Sequence, residues 1–327
     1  MAMAEPPLPA SQVPVTTPAQ FPAPAAAPAA AVSPLQAVLL MVGSVAVFAA
    51  MDALVKDLGT RYPTMQVMFF RSLFAFVPIM LLILHSGSLS ALRMHSVTGH
   101  LLRSLVGVGA MFCFFYAYAR MPLAEVIAIS FAAPLFVVAL SVPLLGEQVG
   151  PRRWAAVLVG FVGVMIMLQP GPGLLKSIAL VPLLGTVFFA LAMLVLRKLG
   201  RTETSACVAF TFTLSCTLVS GIALPFVWVT PGLVDLAVLV TIGLLGGVAQ
   251  ILMTTAFKHG DLAVVAPLEY TAMIWATLFG YVFWNEIPGL NIWIGVAVVM
   301  ASGLFILFRE ANLQLPRGRA RRLSVKR

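Results

Sequence analysis

A small set of ionisable side chains interrupts the apolar segments of this sequence, namely Asp52, Arg71, Arg103, Glu125 and Glu269. Such groups are costly within a membrane and indicate a binding or coupling site by default. Glu269 is the strongest candidate because it follows Pro267, which removes a helix hydrogen bond and predicts a kink with a free carbonyl. A carboxylate here could bind a cationic or hydroxyl-rich ligand group, or exchange a proton. The structural alternative is a carboxyl group hydrogen-bonded between helices.

The remaining charged candidates have competing interpretations. Arg71 lies seven residues into the apolar segment 64–84, where it could hold a carboxylate or phosphate of a ligand. It could equally pair with Asp52, which lies nearer the end of the preceding segment, as an internal counter-ion. Arg103 and Glu125 lie near segment ends, and their side chains could reach the membrane interface. They are therefore weaker candidates.

Uncharged side chains offer further contacts. Gln250 is a polar group within an apolar segment, and several aromatic rings could stack on a flat ligand, although such rings more often pack between helices or face lipid. These rings belong to Phe70, Phe115, Tyr116, Tyr270 and Trp275. Cys113, Cys207 and Cys216 form no Cys-x-x-Cys pair and predict buried free thiols. The sequence predicts no metal site and no cofactor.

The segments that carry these residues are long and apolar. Of the 327 residues, 61% are hydrophobic and only 9% are charged, and the mean hydropathy is +1.03. A soluble domain has about 25% charged residues, so this composition indicates an integral membrane protein. Ten segments are each about long enough to cross the bilayer as a helix. They lie near 35–55, 64–84, 101–119, 123–145, 153–169, 177–196, 206–229, 234–257, 262–284 and 290–308.

Both tails differ from the apolar part. Residues 1–34 are rich in Pro and Ala with a single charge, which predicts a disordered tail. Residues 309–327 form a basic tail with six Lys and Arg residues in its last eleven positions, so the net charge of +9 does not indicate a nucleic-acid surface. Before this tail, eight Lys and Arg residues fall on the side of the termini and four on the other. This asymmetry predicts that both termini are cytoplasmic, in a bacterial-type inner membrane.

The chain also contains an internal repeat with an offset of 139 residues. At this offset Glu147 matches Glu286 and Trp154 matches Trp293, without a gap across the third to fifth and the eighth to tenth segments. Each half then holds five helices, and an odd number reverses the direction in which the second copy enters the membrane. The sequence therefore predicts an all-α integral membrane fold of ten transmembrane helices in two inverted five-helix repeats. These repeats occupy residues 35–169 and 177–308.

Four groups of short motifs occur in order along these segments. They are Phe69-Phe70-Arg71; Tyr116 to Ala124 with Pro134-Leu135-Phe136; Leu144 to Glu147 with Arg153-Trp154; and Ala256 to Asp261 with Ala266 to Tyr270 and Asn285-Glu286. Together they resemble the drug/metabolite transporter superfamily and, within it, the EamA family. The resemblance covers residues 35 to 310 and implies ten helices, two EamA repeats and a central cavity. The similar members include bacterial carriers of S-adenosylmethionine, riboflavin and amino acids, so the cargo stays open.

The repeat and the resemblance together predict a secondary transporter that moves a small organic metabolite by alternating access. Glu269 provides one hypothesis for proton coupling, and Ser130, its repeat mate, would extend the site. Glu147 and Glu286 would act as gates, or alternatively cap helices. A lipid or lipid-linked metabolite flippase on the same fold is the alternative function.

Other functional classes fit the sequence less well. An enzyme is not predicted, because HExxH is absent and all four histidines lie at segment ends or in loops. The expected partners are a small-molecule substrate and membrane lipids, with no nucleic acid. One chain already holds both halves, so a homodimer is compatible with the sequence but not required.

Overall fold

The structure is a computed structural model that describes residues 34–85, 92, 94–147, 149–169, 178–199, 203–260 and 262–314. Its helices are α1 (Pro34–Gly59), α2 (Thr64–His85), α3 (Val97–Tyr118), α4 (Leu123–Ser130), α5 (Ala133–Leu145), α6 (Pro151–Leu168), α7 (Leu180–Leu199), α8 (Ser205–Val227), α9 (Leu233–His259), α10 (Leu262–Val265), α11 (Ala272–Trp284) and α12 (Leu290–Gln314). A 3₁₀ segment, Ala266–Thr271, joins α10 to α11. Residues 1–33 and 315–327 of the predicted tails lie outside the described residues.

Within the described ranges, nine helical segments are long and apolar enough to cross a membrane. One of them is Leu123–Leu145, which contains both α4 and α5. The predicted span at 262–284 is not among the nine, because the 3₁₀ segment interrupts it. Pro267 lies in that segment, which confirms the predicted kink. The described residues thus form an all-helical membrane fold, in which the predicted span at 262–284 is broken by the 3₁₀ segment.

Two helices have boundaries that differ from the prediction. α3 begins four residues early because the Ser96 side chain accepts a hydrogen bond from the Gly99 N–H at 3.2 Å. This places His100 and Arg103 inside the helix rather than at its start. α12 continues to residue 314, so the predicted basic tail begins as helix.

The helix boundaries repeat at the predicted offset. Adding 139 to the bounds of α5 gives those of α11, and α4 and α6 begin 139 residues before α10 and α12. α5 and α11 also end alike, because the offset mates Gly146 and Asn285 both take a left-handed conformation, with φ of 67° and 55°. Asparagine is one of the few residues other than glycine that ends helices in this way. The second half of each repeat therefore folds alike.

Helix packing follows the same relation between the halves. α1 packs along α9, and α3 packs along α7. α2 packs against α8, and α6 packs against α12. Each of these last two pairs joins the helices that occupy equivalent positions in the two halves, so the pattern of contacts is kept when the halves are exchanged.

The packing of α2 on α9 depends on two glycines of α9 that are four residues apart, Gly243 and Gly247. A Cβ atom at Gly243 would lie 2.9 Å from the Phe70 carbonyl oxygen. A Cβ at Gly247 would lie 2.9 Å from the Ala75 carbonyl oxygen and would also overlap Pro78. Small residues spaced four apart let helix backbones approach closely in this manner.

We expect Gly247→Ala to destabilise the protein, because the added methyl group must displace the backbone of α2. Overpacking of this kind costs about 1–3 kcal/mol. The matched control is Gly43→Ala in α1, where an added Cβ meets no atom within 4 Å. Thermal unfolding in detergent should give a lower midpoint for Gly247→Ala only. Equal midpoints for the two variants would contradict the close packing of α2 and α9.

Candidate functional site

Two membrane-spanning segments are broken at equivalent positions, and the breaks meet. α4 ends at Ser130 and α5 begins at Ala133, while the 3₁₀ segment interrupts the corresponding span of the second half. Phe131 and Tyr270, which are offset mates, contact each other edge to face with ring centroids 4.9 Å apart. Irregular backbone at membrane depth is tolerated where it is buried in protein or lines a cavity. The meeting point of the breaks is therefore the first candidate for a binding site.

Glu269 lies within the 3₁₀ segment, and its side chain is accessible. Its side chain is exposed, although protein atoms surround the position densely on most sides. Within the described part of the chain, the Glu269 carboxylate has no ion-pair or hydrogen-bond partner. It is therefore available to a ligand.

Asp52 and Arg71 approach each other without forming an ion pair. The Asp52 carboxylate accepts a hydrogen bond from the Tyr118 hydroxyl at 3.1 Å. The charges of Asp52 and Arg71 attract each other, but no nitrogen–oxygen contact within 4.0 Å joins them. Asp52 and Arg71 therefore attract each other without the direct ion pair that was one of the two interpretations of Arg71.

Arg71 of α2 and Arg103 of α3, which we call the arginine pair, each have a buried guanidinium nitrogen, and both lie within electrostatic range of Cys216 in α8. Arg71 is 9% exposed, and its Nε is buried without a hydrogen-bond partner. Arg103 lies over the Phe212 ring, 4.4 Å from its centroid, and its Nε and Nη1 are likewise buried without partners. The prediction that Arg103 extends to the interface is therefore wrong. Each guanidinium group therefore has at least one buried donor without a partner, and both lie within electrostatic range of Cys216.

The other predicted contact residues divide into accessible and packed side chains. Ser130, Gln250, Tyr116 and Trp275 are half-buried. The Ser130 hydroxyl donates to the Ile127 carbonyl at 2.7 Å, which leaves its oxygen free to accept. The rings of Tyr116 and Trp275 stack within their own helices, on Phe112 and Phe279.

Two aromatic residues that were predicted to contact the ligand are instead buried. Phe70 lies in a cluster with Phe69, Phe74 and Trp228. Tyr270 points at α12, where its hydroxyl lies against Gly303 and has no hydrogen-bond partner. The structure therefore brings Tyr270 to the contact between the breaks and not to the side of Glu269.

A network of polar contacts closes one end of the helix bundle, which we call the α1–α2 end. Glu286 pairs with Lys56 at 2.8 Å and also accepts a hydrogen bond from the Leu123 N–H at 3.2 Å. Asp235 bonds to Arg61 at 2.6 Å and to the Tyr62 hydroxyl at 2.7 Å. These contacts cross from the first half of the chain to the second.

Gln66 adds a two-way bond to the α1–α2 end. Its side chain donates to the Val229 carbonyl at 2.7 Å and accepts from the Val229 N–H at 2.9 Å. Gln66 is fully buried, so these bonds satisfy a group that would otherwise be costly.

Glu147, which the 139-residue offset matches to Glu286, also forms an ion pair, but with a different basic residue. It pairs with Arg197 at the end of α7 at 2.9 Å, while Glu286 pairs with Lys56 near the end of α1. Both carboxylates thus bind a basic residue on the first helix of the other half. The Arg197 and Glu147 side chains are 43% and 36% exposed, compared with 8% and 25% for Lys56 and Glu286.

The residues that sequence reasoning did not single out include Tyr118, Lys56 and Glu203. Tyr118 was visible only as part of a motif, and the offset does not pair it with a polar residue. Lys56 looked like an ordinary loop cation, yet its ammonium group donates to the Met121 carbonyl at 2.6 Å. Glu203 followed a basic segment and gave no signal that it is buried.

Comparison with known proteins agrees with this architecture. The sequence profile of the EamA-like transporter family matches residues 35–169 and 176–308. The chain belongs to the EamA-like transporter family. It is therefore a multi-pass membrane protein of a transporter family, with two EamA-like domains.

Curated EamA-type relatives carry different names. The pseudopaline exporter CntI of Pseudomonas aeruginosa is 33% identical over 270 residues, which cover 81% of this chain and 93% of the relative. The S-adenosylmethionine uptake transporter of Rickettsia bellii is 29% identical over 80% of this chain and 90% of its own length. The riboflavin transporter of Rhizobium johnstonii is 30% identical over 76% of this chain and 82% of its own length. A crystal structure at 22% identity aligns with a TM-score of 0.59 over 84% of this chain and 98% of that one, which shows that the two chains share a fold.

Proposed function

We propose that this EamA-family chain is a secondary carrier that moves a small zwitterionic metabolite across the membrane by alternating access. The observation that carries the proposal is the contact between Phe131 and Tyr270, which joins the two helix breaks at equivalent positions. Discontinuous helices in corresponding positions of two repeats form the substrate site of many secondary carriers. The unpaired charges near these helices supply the chemistry.

The topology that we propose has ten spans, with 262–284 as the broken ninth, in two inverted repeats. α4 begins at the α1–α2 end, where the Leu123 N–H meets Glu286. α9 also begins there, at Asp235, and its 27 residues extend about 40 Å. α10 follows α9 and so begins at the opposite end from α4, its counterpart. Equivalent helices that run in opposite directions are the mark of an inverted repeat.

Charges of both signs favour a zwitterionic cargo. Glu269 offers a free carboxylate to an ammonium or sulfonium group. The arginine pair of Arg71 and Arg103 offers free donors to a carboxylate. Amino acids and S-adenosylmethionine carry both kinds of group, whereas a riboflavin-like cargo would leave the arginine pair unmatched. Among the cargoes that the family resemblance suggests, we therefore favour the first two.

The two inter-half ion pairs act as gates in this proposal. The Lys56–Glu286 pair closes the α1–α2 end, together with Asp235 and Gln66. The Glu147–Arg197 pair is more exposed and closes the other end more weakly. In this proposal, the observed conformation is the state that is sealed at the α1–α2 end.

We expect Lys56→Met to destabilise this state far more than Arg197→Met. Removing one partner of a buried pair costs about 3–5 kcal/mol, and an exposed pair contributes about 0–1 kcal/mol. Glu286 is partly exposed, so we expect the cost for Lys56→Met to lie in the lower part of the range for buried pairs. Thermal unfolding in detergent measures the difference. A midpoint for Lys56→Met equal to that of Arg197→Met would refute the role of the buried pair as the tighter gate.

The positive-inside rule supports an orientation in which both termini are cytoplasmic. The α1–α2 end then faces the periplasm of a bacterial-type inner membrane. One chain supplies both repeats, so the carrier needs no second copy, although a homodimer is compatible with the fold. The gates and the site together need no cofactor and no catalytic group.

Counterflow in proteoliposomes tests this function. Liposomes are preloaded with one unlabelled compound from a panel of aromatic and cationic amino acids, S-adenosylmethionine, riboflavin and dicarboxylates. The same compound in labelled form is then added outside, and its entry into the liposomes is measured. Because counterflow needs no driving force, it separates the cargo from the energy source. We expect transient accumulation of a zwitterion. Accumulation of none, by folded protein, would contradict the metabolite carrier.

A lipid or lipid-linked metabolite flippase is the second candidate, and one observation favours it. An apolar groove lies between the 3₁₀ segment and α12, lined in part by Pro267, Ile274, Trp293 and Met300. Ile274 and Trp293 are 65% and 44% exposed, so a lipid chain could enter there from the bilayer. Translocation of a labelled lipid, combined with an absence of counterflow for every soluble compound, would favour this alternative.

A further inference from the structure

A second cluster of polar groups lies at the end of the bundle opposite the α1–α2 end, which we call the α7–α8 end. His100 comes from α3, Glu203 precedes α8, and Cys207 lies in the first turn of α8. All three are buried, and one ligand atom from each lies within 4.8 Å of the others. The cluster is separate from Glu269 and from the arginine pair.

The distances between these atoms match a tetrahedral metal centre. His100 Nε2 lies 3.5 Å from Glu203 Oε2 and 3.8 Å from Cys207 Sγ. Zn²⁺–nitrogen and Zn²⁺–oxygen bonds of about 2.0–2.1 Å and a Zn²⁺–sulfur bond of about 2.3 Å place tetrahedral ligands about 3.3 Å (N to O) and about 3.6 Å (N to S) apart. These two separations exceed the tetrahedral values by about 0.2 Å, while the third, from a Glu203 carboxylate oxygen to Cys207 Sγ, lies within 4.8 Å.

The hydrogen bonds of His100 direct a lone pair at this cluster. The Thr211 hydroxyl donates to the Cys207 carbonyl at 2.7 Å, so its oxygen accepts from the imidazole Nδ1–H at 2.8 Å. The neutral ring then has its lone pair on Nε2, which faces the Glu203 carboxylate. Metal-bound histidines are typically oriented by a hydrogen bond from their other ring nitrogen in this way.

The Glu203 carboxylate is also held as a ligand would be. Its Oε1 accepts bonds from the His95 and Ser96 N–H groups at 2.7 and 2.8 Å. Its Oε2 is buried, has no hydrogen-bond partner and points into the cluster. A buried carboxylate oxygen without a partner is costly inside a protein unless a cation meets it.

From these contacts we infer that His100, Glu203 and Cys207 bind one Zn²⁺ ion, and that the exposed His95 side chain turns toward them to become the fourth ligand. His95 Nδ1 lies 3.5 Å from Glu203 Oε2, and its side chain is 56% exposed, which provides a route for the ion. A carboxylate, a thiolate and two neutral imidazoles balance the charge of Zn²⁺. The sequence-based prediction of no metal site is revised by this proposal.

The ligands come from both halves of the chain. His95 and His100 belong to the first half, and Glu203 and Cys207 belong to the second. A bound ion would therefore join the two halves at the α7–α8 end, where the exposed Glu147–Arg197 pair provides little stabilisation. This site does not depend on the identity of the cargo or on transport itself.

Metal titration of the purified full-length protein, prepared without a polyhistidine tag and stripped with a chelator, tests the site. We expect one Zn²⁺ per chain after gel filtration, a rise in the unfolding midpoint with Zn²⁺, and a thiolate-to-metal charge-transfer band with Co²⁺. Cys207→Ser should remove the band and weaken Zn²⁺ binding on the order of 100-fold, while Thr211→Val should weaken it about 10-fold. The matched control Cys113→Ser, another buried thiol, should change neither property.

Two outcomes would overturn the proposal. One is wild-type protein that retains no more Zn²⁺ than protein-free micelles. The other is a Co²⁺ band that survives Cys207→Ser, since sulfur ligation would then come from elsewhere. If Cys207→Ser does not fold, His95→Ala replaces it as the test. The exposed His95 side chain can be removed without disturbing the core. Unchanged Zn²⁺ affinity in His95→Ala would contradict the four-ligand site.

Discussion

Glu269→Gln should reduce transport about 10–100-fold, because it removes a free carboxylate from an accessible position in the broken span. A hydrogen bond to a charged group contributes about 1.5–3 kcal/mol, which corresponds to that range in rate or affinity. Gln keeps the shape of the side chain, so the loss would come from the charge or the proton. Initial rates of counterflow measure the effect.

A pH series distinguishes the two roles of Glu269. If the carboxylate exchanges a proton during the cycle, uptake driven by a pH gradient disappears in Glu269→Gln and counterflow becomes independent of pH. If it only binds a cationic group, affinity for the cargo falls while the pH profile keeps its shape. Asp57→Asn is the matched control, since Arg61 retains its bond to Asp235 without it. An unchanged rate and an unchanged pH profile in Glu269→Gln would exclude both roles.

Arg71→Met should separate function from stability. The guanidinium is buried with an unpartnered Nε, and an unpaired buried charge destabilises the folded state. Met has a similar length and removes that cost, so the unfolding midpoint should rise or stay unchanged. The KM for a carboxylate-bearing cargo should increase about 10–100-fold, because a charge-assisted contact is lost.

Thermal unfolding and concentration-dependent counterflow, measured on the same samples, test this prediction. Arg71→Lys should recover only part of the affinity, because the ammonium group cannot donate two parallel bonds. Arg152→Met, at an exposed position at the start of α6, is the control and should change neither value. A lower midpoint with unaltered KM in Arg71→Met would show that the arginine pair is structural.

The sequence predicted the architecture because its signals were strong and additive. Ten apolar segments and one offset of 139 residues are properties of many residues at once, so individual errors had little influence. The helix boundaries then repeat at that offset from α4 to α6 and from α10 to α12. The membrane itself imposes this regularity, since backbone groups in lipid must be bonded within helices.

Side-chain direction was harder to predict. Tyr270 follows Glu269 directly, and adjacency suggested a shared surface. In a 3₁₀ segment with three residues per turn, neighbours point about 120° apart. Tyr270 meets Phe131 and Gly303, while the Glu269 side chain is exposed. An α-helix would separate neighbours by a similar angle of about 100°, so adjacency does not imply a shared surface, and helix packing decides which side chain is buried.

Contacts between distant parts of the chain were the least predictable. Glu203 and His100 are 103 positions apart, and each alone resembles an ordinary loop or helix-end residue. Their proximity depends on how α3 and α8 pack. The bond between Tyr118 and Asp52 is of the same kind, since it depends on the approach of α1 and α3. A single sequence contains no record of such pairings.

The central claim is that one site between the halves opens to each end in turn, and one-sided labelling tests it most directly. Ser130→Cys places a thiol beside the break of the first half, and the three native cysteines are buried, so their reaction can be subtracted. In the same protein, Tyr62→Cys and Asp235→Cys are joined by a short bifunctional thiol reagent. This bridge holds the α1–α2 end shut, because the Tyr62 hydroxyl and the Asp235 carboxylate lie 2.7 Å apart in the native protein. With this bridge in place, a membrane-impermeant reagent should label position 130 only from the α7–α8 end, and cleavage of the bridge should restore labelling from both. Labelling from the α1–α2 end while the bridge is intact would contradict alternating access at this site.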